Sequence, residues 1–328
     1  MPLLDIRNLT IEMDMAEGRV KAVDRVSLTI NEGKVRGLIG ESGSGKSLIG
    51  KAIVGISKPN WRITADRLRL GDIDLMNLSE RERRRVMRED IAMIFQDPAT
   101  CLDPSEEVGT QLEKSIPTDN FKGGFWRRFQ WRKKQAQALL HKVGIKDHRH
   151  VMQSYPYELS QGVCQQVMIA MAIAGKPKLL IADEPSASMD PNTASQILKL
   201  LKRLNQTNNM TILLVSNDFA TVRELAQDVS IIYCGQIVEV AQTKEIISRA
   251  FHPYTQALLD ALPEQRRQSA AKTPMKNLAG SVPLLQHLPI GCRLGPRCPH
   301  AQKQCVEQPV LQKKRSHLFA CHFPLKQE

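Results

Sequence analysis

Gly40-Glu41-Ser42-Gly43-Ser44-Gly45-Lys46-Ser47 has the spacing G-x-x-x-x-G-K-S, that of a phosphate-binding loop. The short apolar run Arg36-Gly37-Leu38-Ile39 precedes it, and the helical stretch Leu48-Ile49-Gly50-Lys51 follows. A Gly/Ser turn alone is a weak signal; strand, loop and helix in that order are the context the motif requires. The glycines let backbone N–H groups close around phosphate oxygens. The helix N-terminus adds partial positive charge. Lys46 is placed to reach the β- and γ-phosphates of a nucleotide, and the Ser47 hydroxyl to ligate Mg²⁺.

Outward from the loop, residues 3–30 alternate polar and apolar (Leu4, Ile6; Val26, Leu28, Ile30), which predicts antiparallel strands packed on one face. Four runs are short and apolar: Leu38-Ile39, Ile91–Phe95, Leu179–Ala182 and Ile212–Val215. Such runs suit strands buried in a parallel sheet, and the helical patterns between them give an α/β class. From about 104 to 170 the chain turns helical, an inserted helical subdomain. Asp183 ends one apolar run beside Glu184. A carboxylate at a buried strand tip can hold a Mg²⁺ shell, and its neighbour can polarise an attacking water. Ser160 and Gly162 open a further helix with Val163, Val167, Ile169 and Met171 as its apolar positions, a second anion-binding start.

Composition limits the alternatives. The chain has 328 residues, is 42% hydrophobic and carries a net charge of +12. No run approaches the roughly 20 apolar residues of a membrane span. The start lacks the basic and apolar regions of a signal peptide, so a cytosolic location is expected, where the seven cysteines are poor candidates for disulfides. The positive charge favours a polyanionic neighbour, either nucleic acid or an anionic membrane face.

With the second anion site the chain resembles the ATP-binding subunits of ABC transporters. Ser160-Gln161-Gly162 matches their signature loop, with Gln161 in place of its first glycine. Gln96 in Phe95-Gln96-Asp97-Pro98 matches the Q-loop, and Ala187-Ser188-Met189-Asp190 the D-loop. The resemblance covers residues 1–262. Ala22-Val23-Asp24, Tyr155–Leu159 and His252-Pro253-Tyr254-Thr255 narrow it to the dipeptide/oligopeptide importer branch. So does the tail, Leu288–Pro299, beyond a polar linker at 263–280; residues 281–328 are read as a Cys-rich extension. The fold implied is an ABC-type P-loop nucleotidase with an antiparallel β subdomain and a parallel-sheet core. To these it adds the inserted helices and the extension.

The resemblance also implies a division of labour. Two ATPase subunits meet head to tail, each ATP lying between the phosphate loop of one and Ser160, Gly162 and Asp190 of the other. Glu184, Gln96 and residue 217 are then catalytic, with Ser47, Gln96 and Asp183 around Mg²⁺. The implied partners are two integral-membrane permease subunits, a second ATPase subunit and, indirectly, a periplasmic peptide-binding protein. The implied place is the cytoplasmic face of a bacterial inner membrane, and the implied cargo is peptides, cationic antimicrobial peptides among them.

Three departures stand out. The family's switch His is Asn217 here, which can hydrogen-bond but cannot carry charge near neutral pH. Cys164 stands where a basic residue is usual. No aromatic lies within residues 11–26 to stack on adenine, only Met13 and Met15. A poorly hydrolysing regulatory subunit thus stays open, as does a soluble ABC ATPase acting on nucleic acid or ribosomes.

Cys292, Cys298, Cys305 and Cys321 cluster in the tail. Four such cysteines in a cytosolic chain point to a metal. The absence of a C-x₂₋₄-C knuckle weakens zinc, and the wider spacing suits a four-thiolate iron–sulfur cluster. The resembled importers carry a [4Fe–4S] cluster in this extension. Finally, Phe125–Lys134 interleaves basic and aromatic residues, as nucleic-acid and membrane-interface segments both do. An amphipathic helix with buried rings reads the same way.

Overall fold

The computed structural model describes residues 2–119, 121, 123–262 and 278–325; most of the expected linker, 263–277, lies outside them. β1 (Pro2–Met15) and β2 (Gly18–Asn31) pair antiparallel. Leu4 and Ile6, then Leu9 and Ile11, are fully buried. The odd step between the pairs is a register shift at Asn8, whose φ is 50°. The bulge returns both pairs to one face, where an unbroken strand would turn the second pair outward.

β3 (Val35–Ile39) runs into the phosphate loop and α1 (Lys46–Ile53). β4 (Trp61–Thr64), β5 (Arg67–Leu70) and β6 (Ile73–Asp74) complete an antiparallel sheet of order β2-β1-β5-β6, with β4 also on β1. α2 (Glu80–Glu89) opens on a capping box between Ser79 and Glu82. After β7 (Ile91–Ile94) come the helices α3 (Pro98–Cys101), α4 (Val108–Ser115), α5 (Phe125–Lys142), α6 (His148–Gln153) and α7 (Gln161–Ala174). β8 (Leu179–Asp183), α8 (Pro191–Asn208), β9 (Thr211–Ser216) and α9 (Phe219–Leu225) follow. β10 (Asp228–Tyr233) and β11 (Gln236–Gln242) form a hairpin. Its Cys234-Gly235 turn has φ of 44° and 80°, both positive, as a tight two-residue hairpin loop requires. The chain ends through α10 (Thr243–Ser248), α11 (Pro253–Asp260), β12 (Gln312–Lys314) and β13 (His317–Phe319).

Two compact units result: Met1–Asn77 with Leu214–Glu328, and Leu78–Leu213. In the first, β3 and β10 run parallel, with Gly37 opposite Val229 and Ile39 opposite Ile231. Beyond β10 the strands β11, β13 and β12 are antiparallel, so the sheet is mixed where the apolar runs suggest a parallel one. The C-terminal segment extends this sheet through β13 on β11. Phe319 stacks on Phe251 at 5.0 Å.

Beneath that joint lies Glu239, fully buried. Its carboxylate accepts the N–H groups of Phe251 and His252, each at 2.9 Å, and faces His317 Nδ1 at 3.2 Å. His252 caps α11, its Nδ1 accepting from the Tyr254 N–H at 3.1 Å. Burial pushes the His252 imidazole down to about 4, against the pull of Glu239. Between the unfolded value of about 6.5 and about 4, the unfolded chain holds a proton that the folded chain does not. Stability therefore rises with pH across that window and is lost as pH falls through it. Unfolding free energy is expected to drop by up to about 3 kcal/mol from pH 7 to pH 4 through this group. Urea titrations of the wild type and of His252→Asn, which keeps a capping side chain, check it; parallel pH profiles would refute it.

In the second unit β7 and β8 run parallel, with Ile94 opposite Ala182. Val108, Leu112, Ala136, Leu140, Val167 and Ile169 are fully buried among the helices. Val163 and Met171, expected inside, are half-buried, while Cys164 is buried and Met168 nearly so. The buried face of α7 thus keeps Val167 and Ile169 as expected, with Cys164 and Met168 inside in place of Val163 and Met171. On α5 the rings divide: Trp131 packs against Phe121 at 5.4 Å, while Phe129 is 61% exposed. The side chains of Phe125 and Trp126 lie outside the described residues. No helix among the described residues is long and apolar enough to cross a membrane.

Candidate active site

The phosphate loop lies between β3 and α1, with Gly40, Ser44, Gly45 and Lys46 buried, Glu41 and Ser47 half-buried, and Ser42 and Gly43 exposed. Gly45 has φ 98°, and a Cβ there would stand 2.9 Å from the Ala22 carbonyl. Both facts demand glycine at the residue that opens the helix. Lys46 Nζ donates to the carbonyls of Gly40 at 2.8 Å and Glu41 at 2.9 Å. That bends the lysine back over the loop. Ser44 Oγ is buried without a hydrogen bond among the described residues. A buried hydroxyl with no partner is costly, and a phosphate oxygen supplies one. Asn217 follows β9, is exposed, and precedes Asp218, which caps α9.

The second unit carries the carboxylates. Gln96 and Glu184 each lie two residues beyond a register pair, Ile94 and Ala182. Gln96 Nε2 donates to Glu184 Oε2 at 3.1 Å. Glu184 has φ 47°, a left-handed conformation that costs a non-glycine residue about 1–3 kcal/mol. Strain of that kind concentrates at functional positions. Asp183, before it, is 4% exposed at the tip of β8.

Ser160 caps α7, its hydroxyl accepting from the Val163 N–H at 3.4 Å. At Gly162 a Cβ would stand 2.5 Å from Thr193 Cγ2, so the glycine is fixed by close packing of α7 on α8. Cys164 is buried, its thiol 3.5 Å from the Pro156 carbonyl. Asp190, expected at a nucleotide, caps α8 by accepting from the Asn192 and Thr193 N–H groups, both at 3.0 Å. The hydrogen bonds from Thr193 hold its carboxyl below the usual range.

The four tail cysteines are all free thiols of intermediate exposure, and together with His300 and His322 they line one small cavity. Among the described residues no group of three or more His, Cys, Asp or Glu is assembled to hold a metal ion. Arg293 and Arg297, between the first two cysteines, turn toward the phosphate loop. Arg297 pairs with Glu41 at 2.9 Å and Arg293 with Asp24 at 2.7 Å.

Residues 23–187 match the ABC transporter family, and residues 238–305 match the oligopeptide/dipeptide transporter C-terminal region. Over 328 residues the chain is 57% identical to the peptide transport system ATP-binding protein SapD of Salmonella typhimurium, covering 100% of this chain and 99% of that one. The chain belongs to the ABC transporter family. It is an ABC-type ATPase.

A second relative, SapD of Haemophilus influenzae, is 51% identical over 99% of this ABC chain and 93% of its own. The dipeptide transport ATP-binding protein DppD of Escherichia coli K12 is 41% identical over 99% and 98%. Among solved structures, a dimeric ATP-binding cassette in a post-hydrolysis state with ADP and Pi superposes with a TM-score of 0.64 at 26% identity. It covers 73% of this chain and 98% of its own. Sequence reasoning found the ABC motifs but not the arginine and tyrosine contacts on Glu41. Tyr254 and Arg297 belong to the segments that carry the importer resemblance, yet nothing local shows that residues over 200 positions away converge on the loop.

Proposed function

We propose that the chain is the ATP-hydrolysing subunit that powers a bacterial ABC peptide importer. Its place would be the cytoplasmic face of the inner membrane, beside two permease subunits. The observation that carries this is coverage. The peptide-transport relatives align along the whole chain, and the transporter-specific C-terminal match, residues 238–305, takes in most of β11, the sheet strand on which β13 pairs. Affinity purification of the tagged chain from its native membrane tests it. Two integral-membrane proteins should co-purify; recovery with nucleic acid or ribosomes instead would refute it. Cationic antimicrobial peptides are the cargo class the sequence resemblance favours, checked by uptake assays with such peptides.

In the mechanism, the loop amides, Lys46 and Ser44 bind the phosphates. Glu184 takes a proton from the attacking water, and its bond from Gln96 orients it. Ser47, Gln96 and Asp183 offer a hydroxyl, an amide oxygen and a carboxylate, the hard oxygen donors Mg²⁺ requires. That ion neutralises phosphate charge when bound. Ser160 and the start of α7 act on the nucleotide of a partner subunit. That partner is a second, different ATPase subunit, because a homodimer would place Asn217 and Gln161 in both sites.

The tail cysteines are the site of an iron–sulfur cluster in this reading. What supports it is that all four cysteines line one cavity. A four-iron cluster also spreads its thiolates more widely than one zinc ion, whose bonds of about 2.3 Å draw them close. Anaerobically purified protein is expected to be brown, with iron and sulfide each near four per chain, and Cys298→Ser is expected to bleach it. A colourless protein with one zinc would overturn the assignment.

A further inference from the structure

The second residue of the phosphate loop is held at both ends by the C-terminal part of the chain. Arg297 Nη1 donates to Glu41 Oε2 at 2.9 Å and Nη2 to Oε1 at 3.4 Å. The same guanidinium donates to the Tyr233 hydroxyl at 3.1 Å and, through Nε, to the Ala279 carbonyl at 3.1 Å. Its side chain is only 9% exposed. The Glu41 N–H in turn donates to the hydroxyl of Tyr254 at 2.7 Å, and Tyr254 is fully buried. Nearby, Arg293 donates to Asp24 Oδ2 at 2.7 Å and to the Cys234 carbonyl. The turn that contains Cys234 ties to the loop through the Gly235 N–H, which donates to the Ser44 carbonyl at 2.9 Å.

A loop that receives phosphate on backbone amides binds best when those amides already point inward. Glu41 is the point of leverage, because its carbonyl is also a partner of Lys46. A forked guanidinium–carboxylate pair fixes direction as well as distance, which a lysine cannot reproduce. We propose that the C-terminal segment is a nucleotide-affinity element, in which Arg297 is a positioning residue that holds the Glu41 limb of the phosphate loop ready for ATP. The proposal rests on ATP binding at this loop alone. It is independent of cargo, of the partner subunit and of what the cysteines hold.

The test is equilibrium binding of a fluorescent ATP analogue to the full-length chain, with steady-state ATPase of the membrane complex as the second readout. Arg297→Ala is expected to weaken binding about tenfold and to raise KM with kcat changed less than about twofold. Arg297→Lys should fall between it and the wild type, since the charge remains but the fork is lost. Glu41→Gln should weaken binding in the same direction, and the double variant should be no worse than the stronger single one, as expected for one shared contact. If Arg297→Ala does not fold, Arg297→Lys and Glu41→Gln decide the matter. Binding by both within about twofold of the wild type overturns the proposal, as does a double variant whose losses simply add.

Discussion

Glu184→Gln is expected to cut single-turnover hydrolysis by about 100-fold or more, the usual worth of a positioned general base, while ATP still binds. Gln keeps the shape of Glu and an oxygen that can accept from Gln96, but it takes no proton at neutral pH. The strained backbone at residue 184 is set by its surroundings and is unchanged by the swap. The variant should therefore hold ATP unhydrolysed in the assembled transporter. The measurement is made in a complex whose partner ATPase has its equivalent carboxylate disabled, so only the site on this chain's phosphate loop is read. A rate within about threefold of wild type would assign the chemistry elsewhere. The same preparation reads the departure at the switch position: if Asn217 limits this site, Asn217→His speeds it.

Lys46→Ala is the second large effect, and it falls on binding. Lys46 is 4% exposed, and hydrogen bonds to a charged group contribute about 1.5–3 kcal/mol each. Losing its hold on the β- and γ-phosphates is expected to raise the ATP Kd about 100-fold, or about 2.7 kcal/mol. The thermal midpoint without nucleotide should move little, because the loop conformation is also fixed by Gly45 and by the contacts on Glu41. Nucleotide titration and thermal melting of the same sample separate binding from folding. A change in Kd below about threefold would contradict the assignment of Lys46.

The fold was legible where local pattern suffices. The phosphate loop is a contiguous eight-residue signal, and its neighbours needed only an apolar run and a helix start. The β8 strand and Asp183-Glu184 were readable because a buried strand ending in carboxylates is written consecutively. The bond between Gln96 and Glu184 follows from parallel register, which the sequence implies only once β7 and β8 are known to be adjacent. By contrast, β12 and β13 are three residues each. Lys313 and Lys314 carry no strand signature, and pairing with β11 makes them strands. Buried Glu239 was equally silent. It reads as an exposed charge until two backbone N–H groups from the α11 start and His317 are brought to it. Asp190 shows the opposite case: its motif position was clear, but within this chain its side chain caps a helix.

The central claim is that ATP turnover at this phosphate loop drives peptide transport. Proteoliposomes holding the purified complex, with binding protein and peptide on one side and ATP on the side of this subunit, test it most directly. Peptide uptake is expected to require ATP, to rise in step with hydrolysis, and to stop with Glu184→Gln. Uptake that persists unchanged in Glu184→Gln, or ATP turnover that no peptide alters, would contradict it.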